Sequence, residues 1–353
     1  MHDSTPMSKS SEPAELVPAW SSAIQTRDFD DFRALFTAGA VDIRQLSRGR
    51  FLGSIQEIAL TAGLRLQRTR ANRRCLAQGG EDPSTYSLGL VTKSSAGASW
   101  RKQRLEPGSI VMRGPGAPAI HQTSDDYDCS FCAVDARVLR DAVVVLSGIE
   151  LDETLGSWMA IRPPNASFEQ LERGLARVFA LDDGMWAVGA DRRAQLAEMI
   201  LTRIVQAIAT HSQDSIPPPP ISERVRLVHR TEEFMLAHLD QTLSILGLCA
   251  ELGVRERTLR YAFQDRHDVG PMTYFKYLKL NAVRSALKSA PDASAPDVSA
   301  TVEEIARRWG FQHRAHFAAD YMKLFGELPS ITRYGRKQVA GASCVPRERG
   351  VLR

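Results

Sequence analysis

Cysteine is scarce in this sequence: 353 residues hold five, at Cys75, Cys129, Cys132, Cys249 and Cys344. So small and odd a set excludes a disulfide-stapled scaffold. Cys129 and Cys132 do form a CxxC. The surrounding DCSFCAV reads as a strand, however, on which residues three apart point to opposite faces. The two thiols are therefore expected as small buried hydrophobes rather than as a redox or zinc pair. Histidine is scarce where a metal centre would need it. The stretch 28–166 has only His121, with no HxH, which argues against catalysis by a bound metal. There is no phosphate-cradling glycine loop and no GxSxG nucleophile motif. No apolar run reaches the roughly 18 residues of a membrane span. The opening MHDSTPMSKSSEPAE lacks the apolar centre of a signal peptide. These absences lead to the expectation of a cytoplasmic protein without cofactor, metal or membrane, and not an enzyme.

A strong charge of one sign is missing as well, since the formal net charge is only +4. Its distribution says more. From residue 222 onward there are 21 Lys and Arg against 15 Asp and Glu, and before it 24 against 26. A basic C-terminal part behind a slightly acidic N-terminal part suits a polyanion as partner of the former only.

The pattern divides the chain. Residues 1–27 read as a disordered lead-in. From 28 to 166, short apolar runs such as RFLGSIQEIAL, YSLGLVTK and YDCSFCAVD alternate with Gly, Pro, Asn and Ser, as in a β-sandwich or small barrel. Within it, Arg65, Arg68, Arg70, Arg73 and Arg74 cluster around one turn. They would either recognise an anionic effector or line a solvent-facing strand edge. From Ser167 the period becomes helical. Phe168, Leu171, Leu175, Val178 and Phe179 form one stripe, and Leu196, Met199, Ile200, Ile204 and Ile208 a second. This helical pair, 167–212, would pack on its own β domain or form a dimer seam. Pro217–Pro220 mark a stiff linker over 213–221.

The C-terminal part carries an internal repeat. In LSILGLCAELGVRERTLRYAF, an apolar stripe ends at Gly253, and Leu259 and Phe263 begin a second. In VEEIARRWGFQHRAHFAADYMKLF, a stripe ends at Gly310, and Phe317, Tyr321 and Phe325 follow. A short helix, a glycine free to turn left-handed and a second anchored helix make a helix-turn-helix. Two in tandem are far harder to produce by chance than one. PMTYFKYLKLNAVRSALKSA between them reads as a connecting helix that opens on Pro271.

The stretch 222–336 resembles the DNA-binding domain of AraC/XylS-family bacterial regulators. The resemblance is carried by LGVRERTLRYAFQ, VGPMTYFKYLKLNAVRSAL and IARRWGFQHRAHFAADYMKLFGELPS. Three features depart from it: Arg255 stands where a serine helix cap is usual, Ala318 and Ala319 replace polar residues, and the loop before Thr301 is long. The β stretch and helical pair resemble the cupin-type sensor domains of such regulators. The resemblance implies an α+β chain: a β-rich cupin-like sensor domain with a helical pair, then an all-α domain with two helix-turn-helix units. A basic tail, 337–353, follows.

The resemblance and the spacing together imply roles for individual residues. In the first unit Arg257, Arg260, Tyr261 and Gln264 lie three or four apart and share the face opposite the anchors. In the second, His313, Arg314 and Ala318 take that place. These are the expected base contacts, since an arginine matches the O6 and N7 of guanine in the major groove. Lys276, Lys279, Arg307, Arg308, Lys323, Arg336 and Lys337 are the expected phosphate contacts. Gly253, Leu259, Phe263, Gly310, Phe317 and Phe325 are turn and anchor residues. The partners expected are promoter DNA, a second copy of the chain, RNA polymerase and a small-molecule effector on the β domain. Two alternatives stay open: a regulator without effector, whose β domain only dimerises, and a cupin-type enzyme with an incidental helical tail.

Overall fold

The computed structural model describes residues 21–37, 41–80, 82–95, 97–100, 103–104, 106–149, 158–181, 190–211, 223–289 and 301–335. The proline linker at 213–221 and the basic tail at 337–353 lie outside them.

The N-terminal part is built from strands β1 (Ser21–Thr26), β2 (Val41–Gln45), β3 (Gly53–Thr61), β4 (Leu64–Ala71), β5 (Cys75–Gly79) and β6 (Thr85–Val91). It continues with β7 (Ser99–Trp100), β8 (Gln103–Arg104), β9 (Ser109–Arg113), β10 (Ala119–Gln122), β11 (Tyr127–Asp135) and β12 (Trp158–Ile161). They form a seven-stranded sheet in the order β1-β3-β4-β11-β6-β9-β12 and a five-stranded sheet in the order β2-β5-β10-β7-β8. Every pairing given for the described residues is antiparallel. Between the two sheets lies a cavity. The other face of the large sheet is covered by three helices, α2 (Ala136–Ser147), α3 (Asn165–Phe179) and α4 (Ala190–His211).

Alternation along each strand assigns these faces. Tyr86, Leu88 and Leu90 of β6 enter the core beneath the helices, while Ser87 and Gly89 face the cavity. On β11, Cys132 joins the helix-side core and Cys129 a separate cluster with Val91, Trp100 and Tyr127. The CxxC thiols thus point apart, and burial pushes both up to about 12.

Several expectations need correction. The last six residues but one of the supposed lead-in, Ser21–Thr26, are strand β1, paired antiparallel with β3. A helix, α1 (Phe29–Thr37), opens the β region. Asp28 caps it by accepting the Asp30 backbone N–H at 2.9 Å. Phe29 and Phe32, three residues apart, then meet Phe51 at ring distances of 5.2 and 4.8 Å. A further helix, α2, follows β11 directly because the Asp135 carboxylate accepts from the Arg137 and Val138 backbone. In the helical pair, now α3 and α4, the apolar stripes Phe168–Phe179 and Ile200–Ile208 are buried against Ile58, Leu66 and Leu88 of the same chain. Of the two expectations for this pair, the stripes take the first, packing on the chain's own sheet. Within the arginine cluster, Arg68 and Arg70 both reach Asp128, at 2.8 and 3.0 Å, and Arg74 reaches Asp125 at 3.2 Å.

The C-terminal part is all helix: α5 (Glu223–Ala237), α6 (Ile245–Leu252), α7 (Glu256–His267), α8 (Pro271–Ser289), α9 (Val302–Arg308), α10 (Arg314–Phe325) and α11 (Pro329–Tyr334). It rests on the β domain through α8. Arg284, buried in α8, binds Asp30 at 2.8 Å, Asp28 at 3.4 Å and Glu327 at 2.8 Å. Burial opposes its charge, but Tyr321 and these carboxylates outweigh that and raise its pKa.

Candidate nucleic-acid interface

Each helix-turn-helix unit has its own core, and α8 supplies a different face to each. Tyr274, Phe275 and Leu278 of α8 pack with Leu227, Leu248, Leu252, Leu259 and Phe263. Tyr277, Leu280, Val283 and Leu287 pack with Ile305, Ala306, Phe317, Tyr321 and Phe325. At 3.6 residues per turn these two sets fall on different sides of one helix, so α8 is shared between the cores of the two units.

The turns are built as their glycines imply. Gly253 and Gly310 both adopt left-handed φ, +66° and +82°. α6 starts on Ser244, whose hydroxyl accepts from the Gly247 N–H, and α9 on a Thr301–Glu304 capping box. α7 has no such cap: Arg255 is at its N-cap position and makes no side-chain cap bond. The anchor lies six residues after Gly253 and seven after Gly310, because the second turn holds one more residue. Helix α7 begins at Glu256, three after its glycine, whereas α10 begins at Arg314, four after its own.

The buried anchors leave one side of each second helix in solvent. On α7, Arg257, Arg260, Tyr261 and Gln264 are all exposed. The Arg257 guanidinium stands 5.4 Å from the Tyr261 ring, and Arg260 holds Glu256 at 2.6 Å. Exposed pairs of this kind are worth at most about 1 kcal/mol, so a phosphate or guanine edge displaces them readily. On α10, His313 at the N-cap and Arg314 are exposed, and Ala318 is half-buried. Among the charges assigned to phosphate, Arg307, Arg308 and Lys323 are exposed, Arg307 with Glu303 at 2.9 Å. Lys276 is tied to Asp320 of α10 at 2.9 Å. Arg336 and Lys337 lie outside the described residues.

Lys279 corrects its assignment. It is buried on α8, its ammonium donating to the Gln241 carbonyl at 2.9 Å and lying 5.2 Å from the Phe275 ring. Its ammonium is engaged within the helical domain rather than displayed on the outer surface. Sequence spacing misplaced it because α8 packs on both sides. The sequence also gave no sign of a buried polar group inside the first unit. His267 Nε2 stands 2.8 Å from Glu232 Oε1, which also accepts from Tyr274. Burial lowers the His267 pKa.

The β-domain cavity is the second candidate site. It measures about 130 Å³ and is lined by both sheets, by Ile43, Ala77, Trp100 and Phe131 among apolar groups and by Gln67, Ser87, Arg113 and His121 among polar ones. His121 stacks on Trp100 at 4.7 Å, and burial pushes its pKa down to about 4. The buried indole N–H of Trp100 has no hydrogen-bond partner among the described residues. No three His, Cys, Asp or Glu side chains among the described residues are grouped as a metal site would require. No described helix is long and apolar enough to cross a membrane.

The family model and the sequence relatives match about a third of the chain. Residues 248–334 match a family described as "Helix-turn-helix domain". The chain is 34% identical over 114 residues to the "Probable thc operon regulatory protein" of Rhodococcus erythropolis, covering 32% of each chain. It is 29% identical over 139 residues to "XylDLEGF operon transcriptional activator 3" of Pseudomonas putida, covering 39% of each. The match thus spans about a third of these relatives' own length. Among solved structures, the AraC-like transcriptional activator CuxR covers 73% of this chain and is itself covered to 94%, at 16% identity and a TM-score of 0.39. A "probable AraC family transcriptional regulator" from Rhodopseudomonas palustris matches at 32% identity over 31% of this chain and 94% of its own, with a TM-score of 0.27.

Proposed function

We propose, for a chain whose C-terminal third is a helix-turn-helix domain of the AraC/XylS type, that the whole protein is a sequence-specific transcription regulator. It sets α7 and α10 into adjacent major-groove segments of promoter DNA. One observation carries this reading: the anchors of both helices are buried while Arg257, Arg260 and Arg314 remain in solvent on the outer sides. A major groove admits one helix, and a good arginine–guanine pair discriminates by about 1–3 kcal/mol. Arg307, Arg308 and Lys323 supply the salt-dependent phosphate contacts.

The β domain binds the effector, in the cavity between its sheets. That cavity supports an effector-responsive protein over a domain that only dimerises. His121 is neutral there at ordinary pH, so it offers a hydrogen bond rather than a charge. A ligand of single-ring size suits the volume, since a cavity of about 150 Å³ holds benzene. Dimerisation would gain affinity by linkage of two copies; the apolar stripes of α3 and α4 are buried in the chain's own core and leave only the outer faces of these helices for it.

The test is competitive gel-shift binding on DNA enriched by the full-length protein from a random pool. Arg257→Ala and Arg314→Ala should each weaken binding to the enriched sequence about tenfold to a hundredfold and relax preference at one base position. Unchanged sequence preference in both variants would remove these two residues as readers.

A further inference from the structure

The carboxyl ends of α7 and α10 are both held by the β domain. The last four carbonyls of a helix have no partner within it. At the end of α7, the Arg74 guanidinium donates to the His267 carbonyl at 2.7 Å and pairs with Asp268 at 2.9 Å. At the end of α10, the Gln45 side-chain amide donates to the Leu324 carbonyl at 2.6 Å. The Gly49 backbone N–H reaches the Lys323 and Leu324 carbonyls, each at 3.1 Å. Gly326, which caps α10 at φ +72°, lies so close to Arg50 that a Cβ there would stand 2.7 Å from the Arg50 backbone nitrogen.

These grips belong to a single piece. The Leu46 N–H donates to the Arg74 carbonyl at 2.7 Å, and the Arg74 N–H donates to the Ser47 hydroxyl at 2.9 Å. Gln45 is bolted to α8 in turn: its N–H donates to Asn281 Oδ1, and its carbonyl accepts from Asn281 Nδ2, both at 2.9 Å. Leu46 and Leu76 are buried in the core of the first helix-turn-helix unit. A donor at a helix C-terminus, charged in the case of Arg74, also complements the helix dipole. The amino-terminal halves, with Arg257, Arg260 and Arg314, stay exposed.

We infer that Gln45, Gly49 and Arg74 form a yoke: one platform of the β domain grips both recognition helices by their carboxyl ends and sets the spacing between their reading faces. The inference rests on the reading of α7 and α10 as groove readers. Its consequence is that the sensor domain, and not α8 alone, determines which separation of two DNA subsites the protein accepts.

Two measurements on the full-length chain test it. The first needs no DNA. Spin labels on Gln264→Cys and Ala319→Cys, with Cys249 and Cys344 replaced by serine, report the separation of α7 and α10 by pulsed electron resonance. The distance distribution should be narrow in the parent and broaden or shift when Gln45→Ala and Arg74→Ala are added. An unchanged distribution overturns the yoke. The second uses DNA enriched by the wild type from a random pool, with one or two base pairs inserted between the footprinted subsites. The wild type should lose affinity about tenfold, the contribution of a misplaced module. The double variant should bind both duplexes within about threefold of each other. If it keeps the wild-type loss, the yoke is wrong. If the wild type enriches no sequence at all, the DNA-binding reading fails, while the label distances still judge the yoke. Should the double variant not fold, Arg74→Ala alone and Gly326→Ala, which forces Arg50 away from α10, give the same two readouts.

Discussion

His121 illustrates how burial turns a titratable side chain into a probe of folding. Its imidazole is enclosed between the sheets, and its pKa is lowered to about 4 from the ordinary 6.5. The unfolded chain therefore takes up a proton below pH 6.5, while the folded chain refuses it until about pH 4. Stability is complete above 6.5 and falls as pH drops through that window, by up to about 1.4 kcal/mol per pH unit. His267, also lowered by burial, adds in the same direction. Urea unfolding at several pH values should show His121→Gln with a shallower acid-side decline than the wild type. Parallel declines would mean that the imidazole is protonated in the folded chain. That Arg257, Arg260 and Arg314 stand in solvent was legible, because it needed only their offset from the buried anchors. The placement of Lys279 was not legible: its ammonium donates to the Gln241 carbonyl and lies beside the Phe275 ring. Nothing local distinguishes that lysine from Lys276, which is half-exposed and paired across to α10.

At the scale of elements, the helix-turn-helix units were readable because their determinants are close in sequence. A stripe, a glycine and a second stripe lie within about 20 residues, and hydrogen bonds between nearest turns do the rest. Gly253 has φ +66° and open space where a Cβ would sit, so Gly253→Ala carries only the cost of a left-handed backbone. That cost should be about 1–2 kcal/mol, read as a lowered thermal midpoint with the fold retained. A smaller effect for Ala than for Asn at this position would contradict the left-handed turn, since asparagine tolerates that conformation better. The strands were harder to place. Alternation marked most of them, but α1 and α2 were hidden within the β region. Both begin on an aspartate cap, Asp28 and Asp135, whose effect depends on the chain turning there rather than extending.

At the scale of the whole molecule, the cavity and the yoke share their roots. Ile43 and Cys75 line the cavity, and Gln45 and Arg74 stand beside them in sequence. A ligand pressing on one face of β2 thus meets a strand whose end holds α8 and α10. Ala77→Leu, which adds bulk to the cavity wall, should leave DNA binding without effector intact and abolish the effector's influence on it. Gel shifts with and without candidate ligands check this; a preserved ligand response would place the effector elsewhere.

The sequence by itself determined the tandem helix-turn-helix units and the β-rich character of the first half. Each depends on composition or on spacing within a few helical turns. The tertiary structure alone decided that the stripes of α3 and α4 face their own sheet, that Arg68, Arg70 and Arg74 are paired, and that Gln45 reaches Leu324. These contacts join residues dozens to hundreds of positions apart. Such partners meet only when the sheets stack and the two domains dock, and no local periodicity records that event.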